Sequence, residues 1–257
     1  MTASIPLMKI PRVSQSAAVR SALLLGLVSL VGATSLRAQM AVKGQLLLED
    51  KFLRYEQYAK DAQPAAEGWT VRANHAAWKR TPDGVTSVWQ TGHMPVLTYE
   101  GSFGDAVIEV DFKFHAEPGK WAACRISATN PKLNPRAYAA SVWARASLDN
   151  SGRPLGMVLE HDEWKPGVIT TVDTRPAAFE PDKWYTLRME LIGDRVLATC
   201  NGVSVYGPHE KFGVQPKTSI SLGVGTCPHE LRNFRVYAAV PNPAWPAPAA
   251  AKPAPKR

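Results

Sequence analysis

Between residues 184 and 202 apolar and polar side chains alternate one for one. Leu187, Met189 and Leu191 interleave with Thr186, Arg188 and Glu190, and after Gly193-Asp194 the alternation resumes in Val196, Ala198 and Cys200. A period of two buries one face of a β-strand and wets the other. Asn201-Gly202 follows, and both residue types tolerate the positive φ that a type I′ turn demands. The stretch therefore predicts strand, turn, strand, turn, and a further strand over 203–206. A chain that runs this way makes antiparallel sheet.

The rest of the chain repeats the theme in shorter runs. Residues 45–52 predict a strand, and 54–68 a polar, alanine-containing connection with room for a short helix. Short strands are expected at 69–73, 77–79 and 85–89, the last two divided by the turn residues Pro82-Asp83-Gly84. Residues 92–104 read as a crossover. Residues 105–114 are the clearest strand of the first half: Ile108, Val110, Phe112 and Phe114 share one face, and Val107, Glu109, Asp111 and Lys113 the other. Strands at 120–128 and 138–147 are separated by a proline-bearing loop, and 156–161, 168–172 and 219–224 complete the set. Many short strands at regular spacing, with no repeat and no long helical pattern, predict an all-β, two-sheet antiparallel sandwich.

The two ends differ from this body. Residues 1–38 carry Lys9, Arg12 and Arg20, an apolar run from Ala22 to Val31, and then small residues, the layout of a secretory signal with cleavage expected after Ala33 or Ala38. The run is too short to span a bilayer, so no membrane span is expected in the mature form. Residues 240–257 are rich in proline, alanine and lysine and predict a disordered tail. The sandwich is assigned to 41–239. Taking +4 from the first 40 residues and +3 from the last 17 out of the formal +8 leaves the body at +1. A near-neutral body has no electrostatic footprint for a phosphate backbone, so nucleic acid is not expected as a partner. Three cysteines remain. Either Cys200 pairs with Cys227, leaving Cys124 as a buried thiol, or all three are free.

The tryptophan-led strand at 184, the Gly-Asp turn, the strand ending in Asn-Gly, residues 219–224 and the closing LRNFRVY resemble the C-terminal half of concanavalin A-like lectin/glucanase domains. The resemblance extends to LLLEDKF at 46–52 and to 105–114, and is nearest to the 3-keto-disaccharide hydrolase-like domain, a relative of laminarinase-type glycoside hydrolases. It implies a jelly roll with a glycan groove on the concave face of one sheet.

Alternation places the candidate chemistry. Ala122, Cys124 and Ile126 form a small apolar face, which puts Trp121, Arg125 and Ser127 opposite; Ala140, Val142 and Ala144 do the same for Ser141, Trp143 and Arg145. If the strands are neighbours, Glu109, Asp111, Trp121, Arg125, Trp143, Arg145 and Glu160 share one surface. Indoles pack on pyranose C–H faces and charged groups take hydroxyls in directional hydrogen bonds. On this reading Trp121, Arg125, Trp143 and Arg145 bind substrate, and Glu109, Asp111 and Glu160 are the catalytic candidates. The alternative is a solvated face of cross-strand ion pairs, each worth ~0.2–1 kcal/mol.

Laminarinase-type relatives carry a Glu-x-Asp-x-x-Glu strand, whereas the nearest acidic cluster here is Glu160-His161-Asp162-Glu163. The six histidines show no two-histidine metal spacing, so neither metal nor other cofactor is expected. Three functions follow: an exported, periplasmic or extracellular, monomeric domain that recognises carbohydrate; a divergent glycoside hydrolase with paired carboxylates; or a non-catalytic partner-binding sandwich.

Overall fold

The computed structural model describes residues 39–53, 57–58, 69–71, 77–89, 92–133, 137–147, 154–163 and 168–246. In chain order the strands are β1 (Ala41–Asp50), β2 (Gln57–Tyr58), β3 (Trp69–Val71), β4 (Ala77–Arg80), β5 (Val85–Val88) and β6 (Val96–Phe103). There follow β7 (Ala106–Phe114), β8 (Ala123–Thr129), β9 (Ala137–Arg145), β10 (Gly156–Glu163) and β11 (Val168–Arg175). The last five are β12 (Tyr185–Ile192), β13 (Arg195–Cys200), β14 (Val203–Pro208), β15 (Lys217–Val224) and β16 (His229–Pro241), with a 3-10 turn at Glu210–Gly213 before β15.

They form two antiparallel sheets. The nine-stranded sheet runs β14-β13-β12-β7-β16-β5-β4-β2, with β1 also paired to β16; the seven-stranded sheet runs β11-β10-β9-β8-β15-β6-β3. This is the all-β two-sheet sandwich that the alternation predicted, with the jelly-roll fold that the resemblance implied. The sandwich belongs to the unit Met40–Pro243; Gln39 and Ala244–Pro246, the described residues of a second unit, contain no strand. Among the described residues no helix is long and apolar enough to cross a membrane.

The core lies between the sheets and follows side-chain parity. Ile108, Val110, Phe112 and Phe114 of β7 pack with Leu187, Met189 and Leu191 of β12 and with Val196, Ala198 and Cys200 of β13. From the facing sheet come Cys124 and Ile126 of β8, Val142 and Ala144 of β9, Met157 and Leu159 of β10, and Ile220 and Leu222 of β15. Each large apolar side chain buried here contributes roughly 1.5–3 kcal/mol. The Asn201-Gly202 turn has φ of 49° and 74°, the two positive values that a type I′ hairpin requires.

Two expectations change, and one open alternative is decided. Residues 92–104 contain β6, an eight-residue strand, rather than a crossover. Its polar run at 98–102 hid it, and Gly101 leaves room for the Tyr99 ring, which a Cβ there would meet at 2.6 Å. Within 54–68, the described Gln57–Tyr58 is a strand paired to β4, not a helix; the remainder lies outside the described residues, as do residues 1–38 and the tail from 247. The cysteines are three buried free thiols, with no Cys200–Cys227 bond, and burial pushes the Cys200 and Cys227 thiols up to about 12.

Candidate functional site

The structure divides the seven candidate residues between two surfaces. Arg125, Trp143, Arg145 and Glu160 stand on the outer face of the seven-stranded sheet, on β8, β9, β9 and β10, with Trp121 just before β8. Glu109 and Asp111 stand on the outer face of the nine-stranded sheet, on β7. The expected single surface is therefore corrected. Residues 105–114 and 120–128 are consecutive in sequence, but the connection between them crosses from one sheet to the other. Thus β7 pairs with β12 and β16, while β8 pairs with β9 and β15.

On the seven-stranded sheet, register explains the packing. Arg125 lies opposite Trp143 and, on its other side, opposite Gly223; Trp143 lies opposite Val158; Arg145 lies opposite Ala123 and Gly156. Gly223 thus leaves room beside Arg125, and Ala123 and Gly156 beside Arg145. Both guanidinium groups fold over the Trp143 ring, Arg145 at 4.0 Å and Arg125 at 4.9 Å from its centroid. Such cation–π contacts are worth ~0.5–1 kcal/mol when exposed and ~2 or more when desolvated. Glu160, two residues beyond Val158, reaches diagonally to accept the Trp143 indole N–H at 2.6 Å. The Trp121 ring sits 6.4 Å from that of Trp143 at an interplanar angle of 45°. Trp143 is 1 % exposed and Arg125 3 %, whereas Trp121 is only half-buried and forms the accessible rim.

A row of short polar side chains runs beside this aromatic layer. Thr98, Ser221, Ser127, Ser141 and Glu160 are register partners across β6, β15, β8, β9 and β10. The Thr98 and Ser221 hydroxyls lie 3.1 Å apart, and those of Ser127 and Ser141 2.8 Å apart. Alternation identifies Ser127 and Ser141; Thr98 and Ser221 come from strands whose neighbours only the topology reveals. Gly223 also escaped the sequence. A Cβ on it would lie 3.2 Å from Arg125 Nε and 2.7 Å from Met94 Cε, so its lack of a side chain makes room for the guanidinium.

The Trp121 end of the layer is fixed by backbone. Trp121 N–H donates to Thr226 Oγ1 at 3.2 Å, its carbonyl accepts from Cys227 N–H at 3.2 Å, and Ala122 N–H donates to Ser147 Oγ at 2.8 Å. Gly225 permits this crossing, because a Cβ there would meet the Trp121 carbonyl oxygen at 2.2 Å. His161, next to Glu160, stacks on His209 at 4.3 Å. Among the described residues no three His, Cys, Asp or Glu side chains gather as a metal site.

Glu109 and Asp111 serve a different network. Arg188 donates from Nη1 to Glu109 Oε1 at 2.9 Å, from Nε to Glu190 Oε1 at 2.8 Å, and from Nη2 to the Ala41 carbonyl at 3.0 Å. Lys43 Nζ donates to Glu109 Oε2 at 2.8 Å, and Ala41 N–H to Glu190 Oε2 at 2.6 Å. Burial raises the pKa of Glu190, against the lowering effect of Arg188. Asp111 accepts from Thr186 Oγ1 at 2.7 Å and Asn233 Nδ2 at 2.8 Å. These bonds tie β1, β7, β12 and β16 together. This surface is an ion-pair network, as the alternative has it, but around Arg188 a buried one rather than a solvated face: Glu109 is 6 % exposed and Glu190 0 %.

Comparison with known proteins places this arrangement. The model of the 3-keto-alpha-glucoside-1,2-lyase-like domain matches residues 61–236. The chain belongs to that family. The match includes every strand that carries the aromatic layer of this 3-keto-alpha-glucoside-1,2-lyase-like domain. Its fold is similar to a carbohydrate binding module, CBM66 from Bacillus subtilis, at 15% identity and a TM-score of 0.51, covering 66% of this chain and 95% of that one. It is also similar to SCLam, a non-specific endo-beta-1,3(4)-glucanase from family GH16, at 15% identity and a TM-score of 0.56, covering 77% of this chain and 97% of that one. At these identities the shared property is the sandwich. No curated protein matches the chain in sequence.

Proposed function

We propose that this protein is an exported domain that recognises carbohydrate on the outer face of its seven-stranded sheet, with Trp121 as the contact a sugar ring meets first. The observation that carries the reading is the Trp143 layer: one indole held by two guanidinium groups and one carboxylate, on a face that takes no part in the sandwich core. Buried charges cost several kcal/mol unless well paired. On the other sheet the buried Arg188 is paired with two carboxylates and joins strands, whereas here both guanidinium groups rest on an indole. Family membership and the carbohydrate-directed names of its structural neighbours support the same class of ligand. Export, to the periplasm or outside the cell, follows from the signal-like layout of residues 1–38, and the domain acts as a monomer.

The test is a panel of oligosaccharides titrated by calorimetry against the full chain. Saturable binding that Trp121→Ala abolishes, with the fold retained by circular dichroism, is expected. Affinity unchanged by that substitution would overturn the site.

A second, catalytic reading is favoured by Glu160. Glycoside hydrolysis by the usual route requires two carboxyl groups, and Glu109 and Asp111 stand on the other sheet. An elimination across C1–C2 of a 3-keto-glucoside, the chemistry in the family's name, requires less. The ketone acidifies the C2 proton, a base removes it, the C1=C2 bond forms as the C1–O bond breaks, and the departing oxygen takes a proton. One carboxylate and groups that stabilise the developing enolate suffice in kind, and Glu160 shares its layer with Arg125 and Arg145. Such a step requires the layer to open, because Glu160 is 1 % exposed. Turnover of a 3-keto-glucoside, lost in Glu160→Gln, would support this reading; turnover unaffected by that change would remove Glu160 from it.

A further inference from the structure

A cleft of about 400 Å³ opens where the β4–β5 hairpin faces the β7–β8 connection and the turn between β15 and β16. Its walls include Lys79, Thr86, Trp89, Glu117, Lys120 and Thr226. Its volume falls within the range of small-molecule sites.

Three observations give the cleft a chemical character. First, two lysines and one glutamate line the cleft, and among the described residues neither Lys79 nor Lys120 has a carboxylate partner. Second, the Lys120 ammonium sits 3.8 Å over the Trp89 ring, while the Trp89 indole N–H is buried with no acceptor among the described residues. A buried donor without an acceptor is costly and rare in native structures. Third, Thr226 Oγ1 accepts the Trp121 backbone N–H, so its own O–H is left to donate elsewhere, and one wall of the cleft is bonded directly to the rim of the aromatic layer. The free groups are thus mainly donors, two of them charged, grouped around an indole.

We infer that this cleft is a subsite for an anionic sugar, a pyranose residue carrying a carboxylate as in a uronic acid. The inference rests on the reading that the domain takes saccharides, and adds the substrate class. Lys120 covers one face of the Trp89 ring, and the other meets the C–H groups of the sugar. The ammonium groups of Lys79 and Lys120 take the carboxylate as point charges, in charge-assisted hydrogen bonds. Glu117 at the margin disfavours a second anionic group close to the first.

The test titrates the full chain by calorimetry with a β-linked glucose trisaccharide, and with the same trisaccharide oxidised at C6 of a terminal residue to a uronate. The oxidised form is expected to bind about tenfold tighter, as one charged hydrogen bond predicts. That preference shrinks with added salt and disappears in Lys79→Ala/Lys120→Ala. The Trp89 indole N–H resonance, assigned by its absence in Trp89→Phe, shifts only with the oxidised form. Equal affinities, or a preference that survives the double substitution, would overturn the subsite. Neutral binding that depends on Trp121, with no preference for the uronate, overturns the subsite alone. A uronate preference that persists in Trp121→Ala supports the subsite while overturning the aromatic rim. Failure of both trisaccharides to bind overturns both.

Discussion

Trp143 donates its indole N–H to Glu160 Oε1 at 2.6 Å, across adjacent strands of the seven-stranded sheet and outside the core. The bond fixes the plane of the ring on which Arg125 and Arg145 rest. Removing the acceptor leaves a buried donor unsatisfied, which costs about 1–3 kcal/mol. Glu160→Leu is therefore expected to lower stability by that amount, and Glu160→Gln, which keeps an acceptor oxygen, by less. Urea unfolding of both variants checks this; equal losses would show that the bond does not hold the ring.

Gly223→Ala probes the room left for Arg125. Replacing a strand glycine by alanine gains roughly 0.5–1 kcal/mol of backbone entropy, while crowding a packed site costs typically ~1–3 kcal/mol. The new Cβ would press on Met94 Cε and on the Arg125 guanidinium, both ends of flexible side chains. The expected result is a small change in the unfolding midpoint with a clear loss of saccharide affinity. Loss of stability without loss of affinity would place Arg125 outside the binding arrangement.

Arg188→Ala tests the other face. It strips Glu109 and the fully buried Glu190 of their shared cation, and breaking a buried pair in this way costs about 3–5 kcal/mol. Saccharide binding of the folded fraction is expected to be unchanged, as it is for Glu109→Gln. A binding defect in Glu109→Gln at native stability would return that carboxylate to the functional site.

Acid sensitivity is expected from His229. Complete burial lowers its pKa from 6.5 to about 4, with the Cys227 carbonyl opposing the shift through its bond to Nδ1. The unfolded chain then binds a proton that the folded one refuses. The stability contributed by the neutral ring is complete above pH 6.5 and is lost as pH falls towards 4. Urea midpoints measured across that interval should fall, and should fall less steeply in His229→Gln. Equal slopes would assign the acid sensitivity elsewhere.

Much of this molecule was legible before its coordinates. Parity on 105–114, 120–128, 138–147 and 184–200 sorted the side chains that face the other sheet from those on the outer faces, but not buried from exposed, since β8 is buried on both faces. Asn201-Gly202 announced its hairpin because few other residue pairs accept two positive φ values. Strand adjacency was hidden, since alternation says which way Glu109 and Arg125 point relative to their own strands and nothing about which sheet each strand joins. That is why Trp121, Arg125, Trp143, Arg145 and Glu160 came together while Glu109 and Asp111 did not. The cleft around Trp89 was hidden for a related reason: its walls come from one hairpin and two connections far apart in sequence, and alternation does not say that they meet.

Because β1 pairs with β16, the opening strand of the sandwich has, among the described residues, no ladder partner until its closing one has been made. The latter also lies between β7 and β5, at the middle of its sheet. A ribosome that stalls before residue 229 therefore releases a polypeptide with a gap through the centre of that layer, not a smaller native body. Synthesis as far as Pro241 becomes a precondition for folding of the sandwich.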